Sequence, residues 1–275
     1  LKIVIITNGN YFAQLILRKL INARAGEIAG IVIIQGDYLG EGGFRALWNF
    51  LRKTTLPYAF GKIIHHIIFM IAGVLFKNLT LNVISLACKN SIDYIIAASL
   101  KDQVITKKLQ EWGGNLLVSV SCPQKINGDI LANFEKGGIN IHSSLLPEFA
   151  GLAPYYWVLS AGSDVTGVTV HYITDKFDEG NILFQKIVKI KPGDNAFGLF
   201  KRLAVEGSGI LYKSVCAVED DLNGTIQNLS FRSYFSHPNF KSYYNLRKRG
   251  FRVISFPEIY HTLLSEFKSA NDINA

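Results

Sequence analysis

The chain has 275 residues, of which 49% are hydrophobic, and a formal net charge of +8 at pH 7. This length suits one large domain, alone or with a small extension, and the apolar content is enough for a real core. Three widely spaced cysteines exclude a disulfide framework or a zinc site, and the first apolar run is too short for a secretory signal, so we expect a cytoplasmic location. The positive charge suits an anionic partner: a phosphate, a nucleotide, a nucleic acid or an acidic lipid.

The first elements predict a Rossmann-like βαβ unit. Residues 1–7 and 28–35 have the pattern of buried parallel strands, and residues 11–22 that of a helix. The turn Asn8-Gly9-Asn10 lacks the G-x-G-x-x-G pattern of dinucleotide binding. The helix N-terminus that follows can still hold an anion, so these three residues are candidates for substrate binding.

A hydrophobic helical insertion is predicted near residues 44–88. Its most apolar part, residues 63–76, places seven side chains on one helical face: Ile63, Ile64, Ile67, Ile68, Ile71, Val74 and Leu75. Fourteen residues are too few to span a bilayer as a helix. We favour a helix covered by the core or by a second subunit over a surface that docks on a membrane or cradles a lipid-linked substrate. Adjacent His65 and His66 point apart on a helix, and we assign no metal.

The remaining pattern alternates strands and helices, which predicts an α/β fold with a mostly parallel sheet. We predict strands at 94–98, 116–120, 138–141, 167–173 and 182–190, and helices at 101–112, 130–136, 152–161 and 195–220. The predicted division is a catalytic domain over 1–192 and a C-terminal extension over 193–275. That extension holds a long helix and a short basic, aromatic tail.

Polar side chains end one of these strands. Asn140 and His142 are two residues apart on an apolar run, so they leave the same face of the strand. Ser143, Ser144 and Pro147 end that strand, and ligands of open α/β sheets bind at the carboxyl ends of strands. Asp178 follows a later strand in a loop flanked by glycine.

The residues Asn140, His142 and Ser144-Leu145-Leu146-Pro147, followed by His171, Asp178 and Gly180, resemble the signature of the 10-formyltetrahydrofolate-dependent formyltransferases. The resemblance extends, less strictly, from residue 1 to about residue 190. It implies the formyltransferase fold, with 10-formyltetrahydrofolate as the formyl donor. It also implies that Asn140, His142 and Asp178 are catalytic.

The chemistry of formyl transfer explains this choice of residues. An amine attacks the formyl carbon, and the negative charge that builds on the formyl oxygen needs donors worth ~3 kcal/mol each. Asn140 offers an amide N–H and His142 an imidazolium. Asp178 takes the proton from the amine, directly or through water, and keeps His142 protonated. We interpret His171 as a structural or supporting residue. Neither a covalent enzyme intermediate nor a metal is required.

The resemblance also assigns the folate site. The strand end and loop at 118–126 align with the segment that binds the pterin ring through backbone groups, and the loop at 173–178 closes the same pocket. The candidate residues are Val118, Ser119, Val120, Ser121, Ile126, Ile173, Thr174 and Asp175. Glu148-Phe149-Ala150 replaces the basic-aromatic-Arg run that is usual in the family. The contacts to the acceptor substrate are therefore expected to differ from those usual in the family.

The tail between residues 231 and 252 has six Lys and Arg residues, no Asp or Glu, and interleaved aromatic residues. Such a segment either stacks bases and pairs with phosphates or packs its rings and leaves its charges solvated. Arg247, Lys248 and Arg249 are our candidates for anchoring the pyrophosphate of an acceptor.

Subgroup features favour an amino sugar acceptor on a nucleotide or lipid carrier. Bulky Tyr11 and Phe12 after the first strand argue against glycinamide ribonucleotide enzymes, and the tail lacks the alternating strands of the tRNA enzymes' β-barrel. We expect no nucleic acid partner. A methionyl-tRNA or other amine formyltransferase is the alternative, and a folate-binding regulatory protein without turnover is the alternative of another class. A homodimer and peripheral contact with the inner membrane face remain open.

Overall fold

The computed structural model describes residues 1–36, 41–76 and 79–272. Parts of the predicted insertion (77–78) and extension (273–275) lie outside these residues. The strands are Ile3–Thr7 (β1), Ile28–Ile34 (β2), Tyr94–Ala97 (β3), Leu116–Val120 (β4), Gly138–His142 (β5), Ala150–Gly151 (β6), Val165–Tyr172 (β7), Ile182–Lys189 (β8) and Tyr234–Phe235 (β9). The helices are Tyr11–Arg24 (α1), Gly43–Lys53 (α2), Leu56–Leu75 (α3), Val83–Lys89 (α4), Gln103–Trp112 (α5), Gly128–Leu131 (α6), Pro154–Ala161 (α7), Ala196–Glu219 (α8), Phe240–Lys248 (α9) and Phe256–Asp272 (α10).

Seven strands form one sheet in the order β3-β2-β1-β4-β5-β7-β8. The first five run parallel, whereas β7 and β8 are antiparallel to their neighbours. Every residue of β1 and β4 is buried, as expected for strands covered on both faces. The predicted α/β fold with a mostly parallel sheet is therefore confirmed.

Helices cover both faces of the sheet and divide the core in two. Alternate residues of β1 illustrate the division: Ile3 and Ile5 join the core with α1, α3, α7 and α8, while Val4 and Ile6 join the core with α5. The predicted helix at 195–220 is α8, which lies so close to the sheet that a Cβ on Gly207 would lie 2.8 Å from Ile141. The predicted domain boundary at 192–193 stays a prediction.

Strand register gathers three loops at one edge of the sheet. Thr7 at the end of β1 pairs with Val120 at the end of β4, and Val120 pairs with Ile141 in β5. The turn after Thr7, the loop after Val120 and the loop after His142 therefore leave the carboxyl ends of adjacent strands. This is the edge where the sequence predicts ligand binding.

Two predicted helices differ from the structure. The helix predicted at 130–136 is the short α6, because the Asn133 amide donates to the Asp129 carbonyl at 2.9 Å and takes up an acceptor that a longer helix would use. The helix predicted within 63–76 is real but begins earlier, with Pro57 in its first turn.

The prediction that the chain's own core covers the isoleucine face of α3 is wrong. Ile67, Ile71 and Val74 are 41%, 48% and 68% exposed. The opposite face is the buried one, because His65 stacks between the rings of Phe12 and Phe69 at centroid distances of 4.9 and 4.4 Å. Aromatic packing, rather than the aliphatic stripe, sets which side of the helix faces the core.

The C-terminal extension folds back onto the catalytic loops. Strand β9 pairs with β6 in a separate two-stranded sheet. Helix α9 lies against α7, where the Ser160 hydroxyl donates to the Ser242 carbonyl at 2.9 Å. Helix α10 reaches α1, where Glu266 accepts from Arg18 at 2.8 Å. The extension therefore contributes to the edge of the sheet that carries the predicted site.

Candidate active site

Strand β5 and the loop after it position Asn140 and His142. His142 is 7% exposed, and Asn140 lies opposite His171 in the antiparallel pair of β5 and β7. The buried Ser144 hydroxyl donates to the Glu148 carbonyl at 2.8 Å, which closes the loop on itself. Thr169 donates to the Ser144 carbonyl at 2.7 Å and so ties the loop to β7. The Ser-Leu-Leu-Pro run is thus a rigid support for the two polar side chains.

Asp178 completes a compact group with the two histidines. Its Oδ1 lies 3.7 Å from Nδ1 of His142 and 3.6 Å from Nε2 of His171. Its Oδ2 accepts the N–H of Gly151 at 2.8 Å. The Gln227 amide holds the loop by donating to the carbonyls of Asp178 at 2.9 Å and Gly180 at 2.7 Å. The structure therefore brings the three predicted catalytic residues together.

Hydrogen bonds set the orientation of both imidazole rings. His171 donates from Nδ1 to the Tyr172 carbonyl at 2.8 Å, so its Nε2 accepts from the Asn140 amide at 3.2 Å. His142 donates from Nε2 to the Phe149 carbonyl at 2.9 Å, which turns its Nδ1 toward Asp178. His171 thereby orients the Asn140 amide, and one N–H of that amide remains available to another acceptor.

The Asp178 carboxylate is ionised although it is largely buried. Burial alone opposes ionisation and raises its pKa, but the neighbouring His142 and the Gly151 N–H hold the pKa of Asp178 well below its usual range. The carboxylate is thus a fixed negative charge between the two imidazole rings.

The residues predicted to bind folate line the strand next to Asn140. Val118, Ser119 and Val120 are buried in β4, and Ser119 pairs with Asn140. The loop that holds Ser121 is pinned by the Gln124 amide, which donates to the Ala98 carbonyl at 2.7 Å. Ile126 and Ile173 belong to one apolar cluster. Asp175 lies beside Gly128 at the start of α6, and Thr174 is exposed next to it. These residues form one side of the site, and their contact with folate stays a prediction.

The two predicted anchors for the acceptor lie in different places. The turn Asn8-Gly9-Asn10 is at the carboxyl edge of the sheet, where Asn10 caps α1 by accepting from Ala13 at 2.9 Å. Arg249 instead donates to the Ser160 carbonyl at 3.1 Å, at the far end of α7 from the site loop. The eight residues of α7 span about 12 Å between this contact and the site loop, and binding of an acceptor by Arg247, Lys248 and Arg249 stays a prediction.

Other residues of the tail reach the site loop, through contacts that the sequence did not indicate. Ser233 accepts the N–H of Phe149 at 2.8 Å through its hydroxyl. The Phe235 ring stacks on Phe149 at 5.4 Å and on Trp157 at 4.6 Å between centroids. A two-residue strand has no periodicity to detect, and Gln227 likewise lies in irregular chain. Within residues 1–36, 41–76 and 79–272, no group of three or more His, Cys, Asp or Glu could hold a metal ion.

An open α/β sheet with an Asn, His and Asp group at its carboxyl edge defines an enzyme of the α/β class. Residues 77–215, half of the chain, match the family model described as formyl transferase. The chain belongs to the formyl transferase family. The family predicted from the motif at 140–147 and 171–180 is thereby confirmed.

Known proteins support the family and the fold. The methionyl-tRNA formyltransferase of Staphylococcus epidermidis is 31% identical over 140 residues, which cover 51% of this chain and 45% of that protein. The chain thus matches less than half of that relative's length. The phosphoribosylglycinamide formyltransferase of Anaplasma phagocytophilum superimposes with a TM-score of 0.58 at 19% identity, covering 86% of this chain and 98% of that one. The Helicobacter canadensis N-formyltransferase, solved with folinic acid and dTDP-3-aminofucose, gives 0.54 at 18% identity, with coverages of 86% and 71%.

Proposed function

We propose that this protein transfers a formyl group from 10-formyltetrahydrofolate to an amine, most specifically to an amino sugar on a nucleotide or lipid carrier. The observation that carries the proposal is the Asp178 carboxylate, 3.7 Å from His142 and 3.6 Å from His171, beside an oriented Asn140 amide. Membership of the formyl transferase family supports the reaction type.

Each residue has a role that follows from its contacts. The acceptor amine forms a bond to the formyl carbon, and the formyl oxygen takes up negative charge. The free N–H of Asn140 donates to that oxygen, and the His142 ring, whose Nδ1 faces Asp178, lies beside it. Asp178 accepts the proton that the amine loses. The bond from the formyl carbon to the folate nitrogen then breaks, and that nitrogen takes up a proton.

The donor is placed between the loop at 121–126 and the loop at 173–175. Buried Ile126 and the adjoining Ile173 supply an apolar floor, and the backbone groups of the strand end are available for the polar edge of a pterin. The folinic acid in the Helicobacter canadensis structure supports a reduced folate as the donor. The site needs only a formyl carrier and no metal for the steps described.

The acceptor side carries the finer part of the proposal. The extension builds the wall around Phe149 and Phe235, where the family's usual basic run is replaced. The dTDP-3-aminofucose in the Helicobacter canadensis structure supports an amino sugar on a nucleotide. The 31% identity to methionyl-tRNA formyltransferase favours tRNA as the second candidate. The complete Asn140, His142 and Asp178 group argues against a regulatory protein without turnover.

A comparison of acceptors tests this function. The chain is mixed with 10-formyltetrahydrofolate and, in separate reactions, a dTDP-linked amino sugar, methionyl-tRNA and glycinamide ribonucleotide. We expect tetrahydrofolate release and a formyl mass increase with the amino sugar, abolished by Asp178→Asn and kept by Asp220→Asn, an exposed carboxylate elsewhere. Formylation of the tRNA alone would establish the second candidate. Folate binding without release in any reaction would contradict catalysis.

A further inference from the structure

An apolar stripe runs along the outer face of α3. Its members recur at helical spacing and are strongly exposed: Leu56 72%, Phe60 62%, Ile67 41%, Ile71 48% and Val74 68%. Helix α3 has 20 residues, so the stripe is about 30 Å long. Apolar surface of this extent is uncommon on a protein that faces only water and marks an interaction site.

Helix α2 extends the stripe with the composition of a membrane-surface helix. Phe44, Leu47 and Trp48 lie on one face and are 77%, 41% and 53% exposed. The rings of Phe44 and Trp48 stack at 6.5 Å between centroids. Arg45 and Arg52 flank that face. Exposed aromatic and leucine side chains opposite Arg and Lys are typical of helices that lie in a lipid interface. We call α2 and the outer face of α3 the apolar surface.

The sequence around the apolar surface is mostly positive. Residues 41–92 contain six Lys and Arg residues and one acidic residue, Glu41, whose carboxylate lies 3.9 Å from Arg45. Anionic lipid headgroups attract such a segment, and each basic residue near the membrane adds to the attraction. A second copy of the chain would bring an identical positive segment against this one, which is unfavourable. The charge therefore selects lipid over self-association.

The buried face of α3 decides how the helix meets a membrane. Among the helices of the described residues, α3 is the one long and apolar enough to cross a bilayer by length and composition. Its inner face is nevertheless part of the core: the Tyr58 hydroxyl bonds to that of Tyr155 at 2.8 Å, and His65 stacks on Phe12. Crossing a bilayer would break these contacts, so the packing of α3 suits an orientation along a membrane surface rather than across it.

We propose that the apolar surface docks the folded protein on a membrane that contains anionic lipid. The docking surface adjoins the acceptor side of the site: Thr55 donates its N–H to the Pro238 carbonyl at 3.1 Å, and Pro238 follows β9 closely in the chain. Docking does not depend on the proposed reaction, because it uses none of Asn140, His142 or Asp178.

Vesicle co-sedimentation of the full chain tests the proposal. One set of vesicles is phosphatidylcholine, and the other is equal parts phosphatidylcholine and phosphatidylglycerol. We expect the wild type to sediment with the anionic vesicles and to be released by added salt. We expect Ile67→Asp with Ile71→Asp to lower the bound fraction about tenfold, and Val205→Asp, an equally exposed apolar residue of α8, to leave it unchanged.

Reversing basic residues of α2 is a second test, which keeps the apolar side chains of α2 and α3 unchanged. Arg45→Glu with Arg52→Glu should lower binding to anionic vesicles at least about tenfold. The matched control is Lys107→Glu with Lys189→Glu, two exposed lysines elsewhere.

Equal sedimentation of the wild type and the Ile67→Asp, Ile71→Asp variant would overturn the proposal. So would a concentration-dependent dimer, abolished by the α3 variant, without vesicle binding. Unchanged formyl transfer to a soluble acceptor in every variant separates this result from the proposed function.

Discussion

At the scale of single residues, the site depends on one carboxylate with several partners. Asp178 adopts a left-handed backbone conformation with φ of 58°, and the bonds from Gln227 hold it there. Oδ1 faces both histidines while Oδ2 is fixed by Gly151. Such a fixed geometry means that loss of one member disturbs the charge or the orientation of the others.

The first prediction concerns catalysis. Asn140→Ala, His142→Ala and Asp178→Ala should each lower kcat by about 100-fold or more, because each group acts on the charge or proton of the transition state. Circular dichroism and thermal melting check that the variants fold. Near-normal turnover in all three would contradict the assigned roles.

A second prediction concerns His171 as a positioning residue. His171→Phe removes the acceptor that aims the Asn140 amide at 3.2 Å, so kcat should fall about tenfold while the KM for folate stays within about twofold. His171→Gln, which keeps an amide that can accept, should recover part of the loss. The pH profile of kcat should also change, because Asp178 loses one of its two imidazole partners. An unchanged pH profile together with no recovery would indicate a purely packing role.

A third prediction concerns buried His65 and the pH dependence of the free energy of unfolding. Burial among Phe12, Phe69 and Phe197, with a further effect of His66, lowers the pKa of His65 to about 4. The unfolded chain therefore binds the proton at higher pH than the folded one. Its contribution to stability is present above about pH 6.5 and is lost as pH falls toward 4, about 3 kcal/mol in all. Chemical denaturation should show a weaker loss over this range in His65→Phe than in the wild type.

At the scale of elements, long segments follow from sequence pattern and short ones do not. Strand β4 occupies the predicted residues 116–120, and β1 and β5 differ from prediction by at most two residues at either end. Each of these three strands is a mostly apolar run, which predicts a buried strand. Strands β6 and β9 have two residues each and form only because the extension folds back, which no local pattern records.

The active site likewise has residues that the sequence predicts and residues that only the fold reveals. The positions of Asn140, His142 and Asp178 could be inferred from a motif, but the contacts of Gln227 and Ser233 depend on tertiary placement. The orientation of α3 could not be inferred, because its aliphatic and aromatic faces are both apolar. Stacking of His65 on Phe12 and Phe69 decided between them.

Strand β9 gives the prediction at this scale. Phe235→Ala removes the stack on Phe149 and Trp157 and loosens the wall on the acceptor side. The KM for the acceptor should rise several-fold, with the KM for folate within about twofold, because β4 and its loop are untouched. Phe231→Ala, a 66% exposed ring in the same segment, is the matched control. An equal effect of both variants would contradict a specific role for the stack.

At the scale of the whole molecule, folate binding should stabilise the native chain by mass action. A ligand at 100 times its dissociation constant adds about 2.7 kcal/mol, which shifts Tm by about 5–10 °C for a domain of this size. Differential scanning fluorimetry with folinic acid measures the shift.

Asp178→Asn should keep much of the Tm shift, since that side chain acts on the formyl group. Ile126→Asp should lose it, because the charge enters the apolar floor that Ile126 shares with Ile173. Lys101→Asp, an exposed change on the neighbouring loop, should keep the full shift. Absence of any shift at saturating folinic acid, with a normal melting transition, would place the donor site elsewhere.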